Sequence, residues 1–156
     1  MQPASGKDSG EGMANLTFTG SSELNDAFTR ISEIPWPVTE QALDGMAKVA
    51  AAEIKSTGEY MGVRDENSDV HILDHITTKK AKRTDDGGYE KITFDGTRRR
   101  GKTTTRNAEI AVVNEYGKRG QDARPFMRTA LSQNEELISD PGVKILGDWI
   151  EENFKK

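Results

Sequence analysis

Ile76-Thr77-Thr78-Lys79-Lys80-Ala81-Lys82-Arg83-Thr84-Asp85-Asp86-Gly87-Gly88-Tyr89-Glu90-Lys91-Ile92-Thr93-Phe94-Asp95 is the stretch on which the fold depends. Its centre, Asp85-Asp86-Gly87-Gly88, is a hairpin signal, because these residue types tolerate positive φ at low steric cost. On the N-terminal side, Ile76–Arg83 includes Thr77 and Thr78 and predicts a strand. On the C-terminal side, Tyr89–Asp95 alternates. Tyr89, Lys91, Thr93 and Asp95 fall on one face, and Glu90, Ile92 and Phe94 mostly on the other.

Outward from this hairpin toward the C-terminus, Gly96–Arg106 is a basic, Thr-rich connection. Asn107–Tyr116 follows, and Ile110, Val112 and Val113 give it strand character. The segments together predict an antiparallel meander of three to four strands with a long basic loop and one face to cover. Gly117 and Gly120 bracket a turn. Pro125 then opens a helix, where its missing N–H costs nothing. Phe126, Ala130 and Leu137 mark the buried side of that helix. Asp140-Pro141-Gly142 is expected to break the chain before a last helix with Val143, Leu146, Ile150 and Phe154 on its stripe and Ile145 and Trp149 beside them.

Toward the N-terminus, Val38–Lys55 has the pattern of a helix. Val38, Ala42, Met46, Val49 and Ile54 form the stripe, Ala47, Ala50, Ala51 and Ala52 thicken it, and Gly58 is expected to mark its end. Gly62–Asp69 is polar and reads as a loop. An earlier helix begins at Ser21 and Ser22, which can cap it, and carries Leu24, Phe28 and Ile31. Pro35 and Pro37 should end it near Ile34, with Trp36 plugging the corner. Residues 1–15 are expected to form a disordered leader or N-terminal arm, with Met13 a second possible start. Residues 16–156 are expected to form a single domain. Two helices, then strands, then two helices make this an α+β reading.

Hydrophobic residues are only 33% of the 156 and charged residues 31%, so part of the chain is expected to be unpacked and a partner to complete some of the apolar surface. There is no cysteine, hence no disulfide, thiolate metal site or cysteine nucleophile. No apolar run approaches a membrane span. The net charge of −4 hides an asymmetry. Lys79–Arg106 holds ten basic residues (Lys79, Lys80, Lys82, Arg83, Lys91, Arg98, Arg99, Arg100, Lys102 and Arg106) against Asp85, Asp86, Glu90 and Asp95. That stretch is therefore +6 and the remainder −10. Such segregation suits self-assembly, the basic part of one copy meeting the acidic part of the next. The plain alternative is a solvated loop.

Gly96-Thr97-Arg98-Arg99-Arg100-Gly101-Lys102-Thr103 matches the phosphate-binding pattern G-x-x-x-x-G-K-[ST] letter for letter. That motif needs a helix N-terminus directly after it. Here Thr104-Thr105-Arg106-Asn107 leads into a β-like run instead, a poor first helical turn. His71 and His75 lie four apart with Asp74 beside them. On a helix they would share a side and could ligate zinc or act as an acid–base pair, but two surface histidines is the simpler reading. Glu135-Glu136 and Glu151-Glu152 look like solvated helix faces rather than the desolvated acids of glycoside hydrolysis. Arg98, Arg99, Arg100, Lys102 and Arg106 could contact phosphates. They have no interleaved aromatics, so stacking on bases is not expected.

The stretch Asn107–Ala130 contains Glu115-Tyr116-Gly117 and, after a short loop, Ala123-Arg124-Pro125-Phe126. It resembles the phage tail-component family of the head–tail joining gene cluster, related to the lambda-type minor tail protein Z or tail-completion protein. That family's signature is a strand ending in Glu-Tyr/Phe-Gly, a short loop, then Ala-Arg-Pro-Phe opening a helix. The resemblance covers about Leu16 to the C-terminus. It departs where many members carry a Thr-Gly pair, a place filled here by Val70-His71-Ile72-Leu73-Asp74.

The resemblance implies a structural virion protein, a ring-forming homo-oligomer at the neck between head and tail, assembled in the host cytoplasm. Head-closure or connector proteins and tail terminator or tail tube proteins would be its partners, with non-specific contact to passing DNA. It implies no catalysis and no cofactor. Within the motif, Arg124 is expected to pin the loop by pairing with Glu115. The competing expectations are a phosphate-backbone nucleic-acid binder using residues 96–106, and a small nuclease or NTPase resting on His71, His75 or Lys102.

Overall fold

The computed structural model describes residues 29, 32–63 and 71–154. The leader, the first helix around Leu24, Phe28 and Ile31, and most of the Gly62–Asp69 loop lie outside the described residues. The chain divides after Glu33, and the elements that follow belong to the unit Ile34–Lys156. Its order is α1 (Trp36–Tyr60), a 3-10 turn (Ile72–His75), β1 (Ile76–Thr84), β2 (Gly87–Phe94), β3 (Thr97–Arg100), β4 (Thr103–Arg106), α2 (Asn107–Tyr116), α3 (Phe126–Gln133) and α4 (Glu135–Phe154). This is an α+β arrangement.

α1 starts at Trp36, not after Pro37. Pro35 is its N-cap and Pro37 falls in the first turn, where no backbone donor is needed. Trp36 therefore lies in the helix rather than plugging a corner between prolines. Its ring covers Gly88 of β2, where an added Cβ would come within 2.6 Å of the indole. Gly58 does not end the helix either. It is buried inside it, and a Cβ there would stand 2.7 Å from Leu73 and 3.0 Å from Phe126. The end comes at Gly62, with φ +69°. There Val63 N donates to Gly58 O at 2.9 Å and Gly62 N to Glu59 O at 3.1 Å, a Schellman closure that buries Val63.

β1 and β2 form the expected hairpin, closed by Thr84↔Gly87 around Asp85-Asp86. Glu90, Ile92 and Phe94 turn inward while Tyr89 and Lys91 face out. Between the pairs Lys79↔Lys91 and Lys82↔Tyr89, β1 advances three residues while β2 advances two. This bulge brings Ala81 into the inward phase and buries it.

The three- to four-stranded meander is not formed. Among the described residues β3 and β4 pair only with each other, as a separate two-stranded sheet. The long basic loop is thus a hairpin, with Gly101 at φ +59° in its turn. Asn107–Tyr116, read as a strand, is helix α2. Its buried residues, Asn107, Ala111, Asn114 and Glu115, repeat with helical spacing, while Val112 is 52% exposed. The apolar residues that suggested a strand are not the ones this segment buries.

Pro141 and Gly142 likewise do not break the chain; both lie inside α4. They face α1 at close range. A Cβ on Gly45 would lie 3.2 Å from Pro141, and one on Gly142 would lie 2.9 Å from Met46 Cγ. Small residues let the two helices approach, and that packing holds the helix through the proline. Leu137 belongs to α4 and is 53% exposed, so it is not on the buried side of the helix after Pro125. The core joins Ile54, Val63, Ile72, Leu73, Phe94, Ala111, Phe126 and Ala130 from α1, the 3-10 turn, β2, α2 and α3.

Candidate functional site

Two groups of residues stand out, at opposite ends of α2. At its N-terminal end the β3–β4 hairpin projects. Its register pairs Thr97↔Arg106, Arg98↔Thr105, Arg99↔Thr104 and Arg100↔Thr103. Because side chains alternate, Arg99 and Arg106 lie on one face and Arg98 and Arg100 on the other, each beside threonines. Lys102 is in the turn with Gly101. Arg99 Nε donates to Gly101 O at 3.1 Å, steadying the tip. Asn107 fixes the base: its N donates to Gly96 O at 3.0 Å and its Nδ2 to Asp95 O at 2.7 Å. Arg106 turns back to Glu109 at 2.7 Å, and the hydrogen bond from Arg106 holds the Glu109 carboxyl below the usual glutamate range.

This geometry removes the phosphate-cradle reading of Gly96–Thr103. Those residues are strand β3, the turn Gly101-Lys102 and the first residue of β4, so Lys102-Thr103 leads into a strand rather than a helix. The next helix, α2, begins only at Asn107, four residues beyond Thr103, not directly after the motif.

At the C-terminal end of α2 lies the Glu115–Phe126 segment. Glu115 and Tyr116 end a helix, not a strand, and Gly117 caps it at φ +75°. A Cβ on Gly117 would stand 2.9 Å from both Ala123 N and Gln121 O, so the loop folds tightly over it. Arg124 N donates to Asn114 O at 2.6 Å. Arg124 does not pair with Glu115: its Nη1 donates to Gly62 O at 2.6 Å, tying the loop to the end of α1. Glu115 is 1% exposed and accepts from Met127 N at 2.9 Å and from Arg128 N at 3.2 Å and Nε at 2.9 Å. A carboxylate from α2 thus caps α3, where free backbone donors and the helix dipole favour negative charge. Phe126 is fully buried against Phe94, edge to face at 6.1 Å. The sequence reading missed Arg128 because its role exists only once α3 is docked.

The histidines do not converge. His71 precedes the 3-10 turn and His75 ends it, and three residues per turn send positions four apart to different sides. Asp74 pairs with Lys55 at 2.9 Å. Among the described residues no three His, Asp or Glu side chains gather to hold a metal ion. Glu135, Glu136, Glu151 and Glu152 are all exposed. An open groove of about 650 Å³ between α1, α3 and α4 is lined by Met46, Leu131 and Ile138, with Arg128 and Glu135 at its edge. It offers apolar packing surface rather than a reactive centre.

No family model, no curated protein and no solved structure matches the chain.

Proposed function

We propose that the chain is a structural subunit of a tailed-phage particle, a homo-oligomeric ring component at the head–tail junction akin to the minor tail protein Z group. One observation carries this reading: how the Glu-Tyr-Gly and Ala-Arg-Pro-Phe residues are used. Glu115, Arg124 and Phe126 are all engaged in holding α1, α2 and α3 together. A motif used this way builds a shape and leaves no group poised for chemistry. The charged hairpin and the exposed apolar residues Val112, Tyr116, Leu131, Leu137 and Val143 then serve as contact surface. Head-closure or connector proteins on one side and tail terminator or tail tube proteins on the other are the proposed neighbours.

The test is twofold. Sedimentation velocity over a concentration series should show a closed oligomer. Tagged chain in purified particles should appear as a ring at the neck in averaged images. A chain missing from purified particles would overturn the reading.

A second reading has its own support. Every cross-strand pair of the hairpin sets an arginine opposite a threonine, and both faces carry arginines able to meet phosphates. Binding to a DNA duplex that falls steeply with salt, and is lost in R99A/K102A, would favour it.

A further inference from the structure

We propose that the outward face of α4 receives the β3–β4 hairpin of a second copy of this chain, so that copies join head to tail. The proposal rests on the ring reading above and names the surfaces that make the ring.

The hairpin Thr97–Arg106 holds five basic residues and no acidic one, a charge of +5. α4 holds Glu135, Glu136, Asp140, Asp148, Glu151 and Glu152 against Lys144 alone, a charge of −5. The two elements carry net charges of equal size and opposite sign, the hairpin's Arg106 being paired with Glu109.

Their placement matters as much as their sign. α4 uses Pro141 and Gly142 to pack on Gly45 and Met46 of α1. The exposed residues of α4 include Glu136, Leu137, Asp140, Val143, Lys144 and Asp148, of which Glu136, Asp140 and Val143 lie away from the Pro141–Gly142 contact by helical spacing. Leu137 is 53% and Val143 66% exposed, two aliphatics with the exposed Glu136, Asp140 and Lys144 beside them along the helix. An apolar centre with a charged rim is the anatomy of a protein interface. Next to them Gly147 leaves open space, since an added Cβ would meet nothing within 4 Å. The backbone is bare there and a partner strand can come close.

The hairpin supplies the matching shape. It is a narrow ribbon whose outer edges pair with no other strand among the described residues, with a cationic tip and the exposed Thr103 and Thr104. Its strands are anchored through α2, whereas α4 is anchored on α1. Each copy therefore carries one plug and one socket on different elements. Such an interface is heterologous, and copies joined by it close into a ring when the rotation permits.

The experiment exchanges the charges. R99E/K102E reverses the hairpin tip, and E136K/D140K reverses the socket; all four side chains are exposed, and thermal unfolding checks that each variant keeps its fold. Should either reversal unfold, R99Q/K102Q and E136Q/D140Q give the same loss of association without reversal. In sedimentation velocity the wild type should self-associate, less so as salt rises. Each reversal alone should self-associate at least tenfold more weakly. An equimolar mixture of the two should recover association, because each reversed surface then finds a complementary one. Wild-type association with both variants assembling normally overturns the surface assignment and leaves the ring reading standing. A wild type that stays monomeric at every concentration overturns both. Normal assembly of R99E/K102E together with loss of binding to a DNA duplex overturns the proposal in favour of nucleic acid as the hairpin's partner.

Discussion

Glu115 and Arg128 meet at 2.9 Å across the junction of α2 and α3, the carboxylate side chain 1% exposed and the guanidinium side chain 62%. The pair is therefore lopsided. Removing the arginine leaves a carboxylate that still accepts from two backbone N–H groups, and exposed ion pairs contribute little. Removing the glutamate strands those donors at a helix start. Glu115→Ala should cost about 3 kcal/mol, the sum of a lost cap and lost charge-assisted bonds. Arg128→Ala should cost about 1 kcal/mol, part of it from the contact of its guanidinium with the Tyr116 ring. Urea unfolding of the two variants measures this, and equal losses would show that the cap is not what Glu115 provides.

The loop beyond α2 makes a second contrast. Gly117 and Gly120 both have positive φ, +75° and +80°. Only Gly117 is also closed in, with backbone atoms of Gln121 and Ala123 at 2.9 Å from an added Cβ. Gly120→Ala should cost about 1 kcal/mol, for conformation alone. Gly117→Ala should cost at least about 2 kcal/mol, because backbone must also move. Parallel thermal melts would decide it, and a Gly120 variant as damaged as the Gly117 one would contradict the described loop.

Where sequence reading succeeded and failed has one physical cause. The Ile76–Asp95 hairpin and α1 were legible because their patterns come from side chains that bury apolar groups. α2 was not, because it buries Asn107, Asn114 and Glu115 and exposes Val112. Inside, Asn107 Nδ2 donates to Asp95 O, Asn114 Nδ2 donates to Ile110 O, and Glu115 accepts from α3. A reading of apolar periodicity has nothing to register there, and β-branched Ile110, Val112 and Val113 pull it toward a strand. The partners of Glu115 and Arg124 were equally hidden. Both are backbone or side-chain groups brought near by folding, one of them at Gly62, far away along the chain.

Pro141 was read as a helix breaker for a sound reason, and that reason yields a prediction. Inside α4 it cannot donate to the carbonyl one turn back. Alanine would restore that bond and keep the Cβ that meets Gly45. Proline does lower the entropy of the unfolded chain by an amount near 1 kcal/mol, which alanine forfeits. The net expectation for Pro141→Ala is a gain of about 1–2 kcal/mol. Chemical denaturation would show it as a higher midpoint with an unchanged slope. A loss instead would mean that the proline ring itself fills the gap against α1.

The Arg106–Glu109 pair distinguishes Arg106 from Arg99 and Lys102 at the hairpin tip. The hydrogen bond from the Arg106 side chain, more than its charge alone, holds the Glu109 carboxyl below the ordinary 4.5. A carboxyl lowered in the folded state adds stability above its unfolded value, and that contribution is lost as pH falls through the lowered folded value. Carbon-13 NMR titration should therefore place the Glu109 midpoint below 4.5, and Arg106→Gln should move it upward toward that value. A wild-type midpoint at 4.5 would mean the pair is not formed in solution. Because Glu109 already answers the charge of Arg106, Arg106→Gln should weaken self-association less than a single charge removal at Arg99 or Lys102, and sedimentation velocity on the three single variants ranks them.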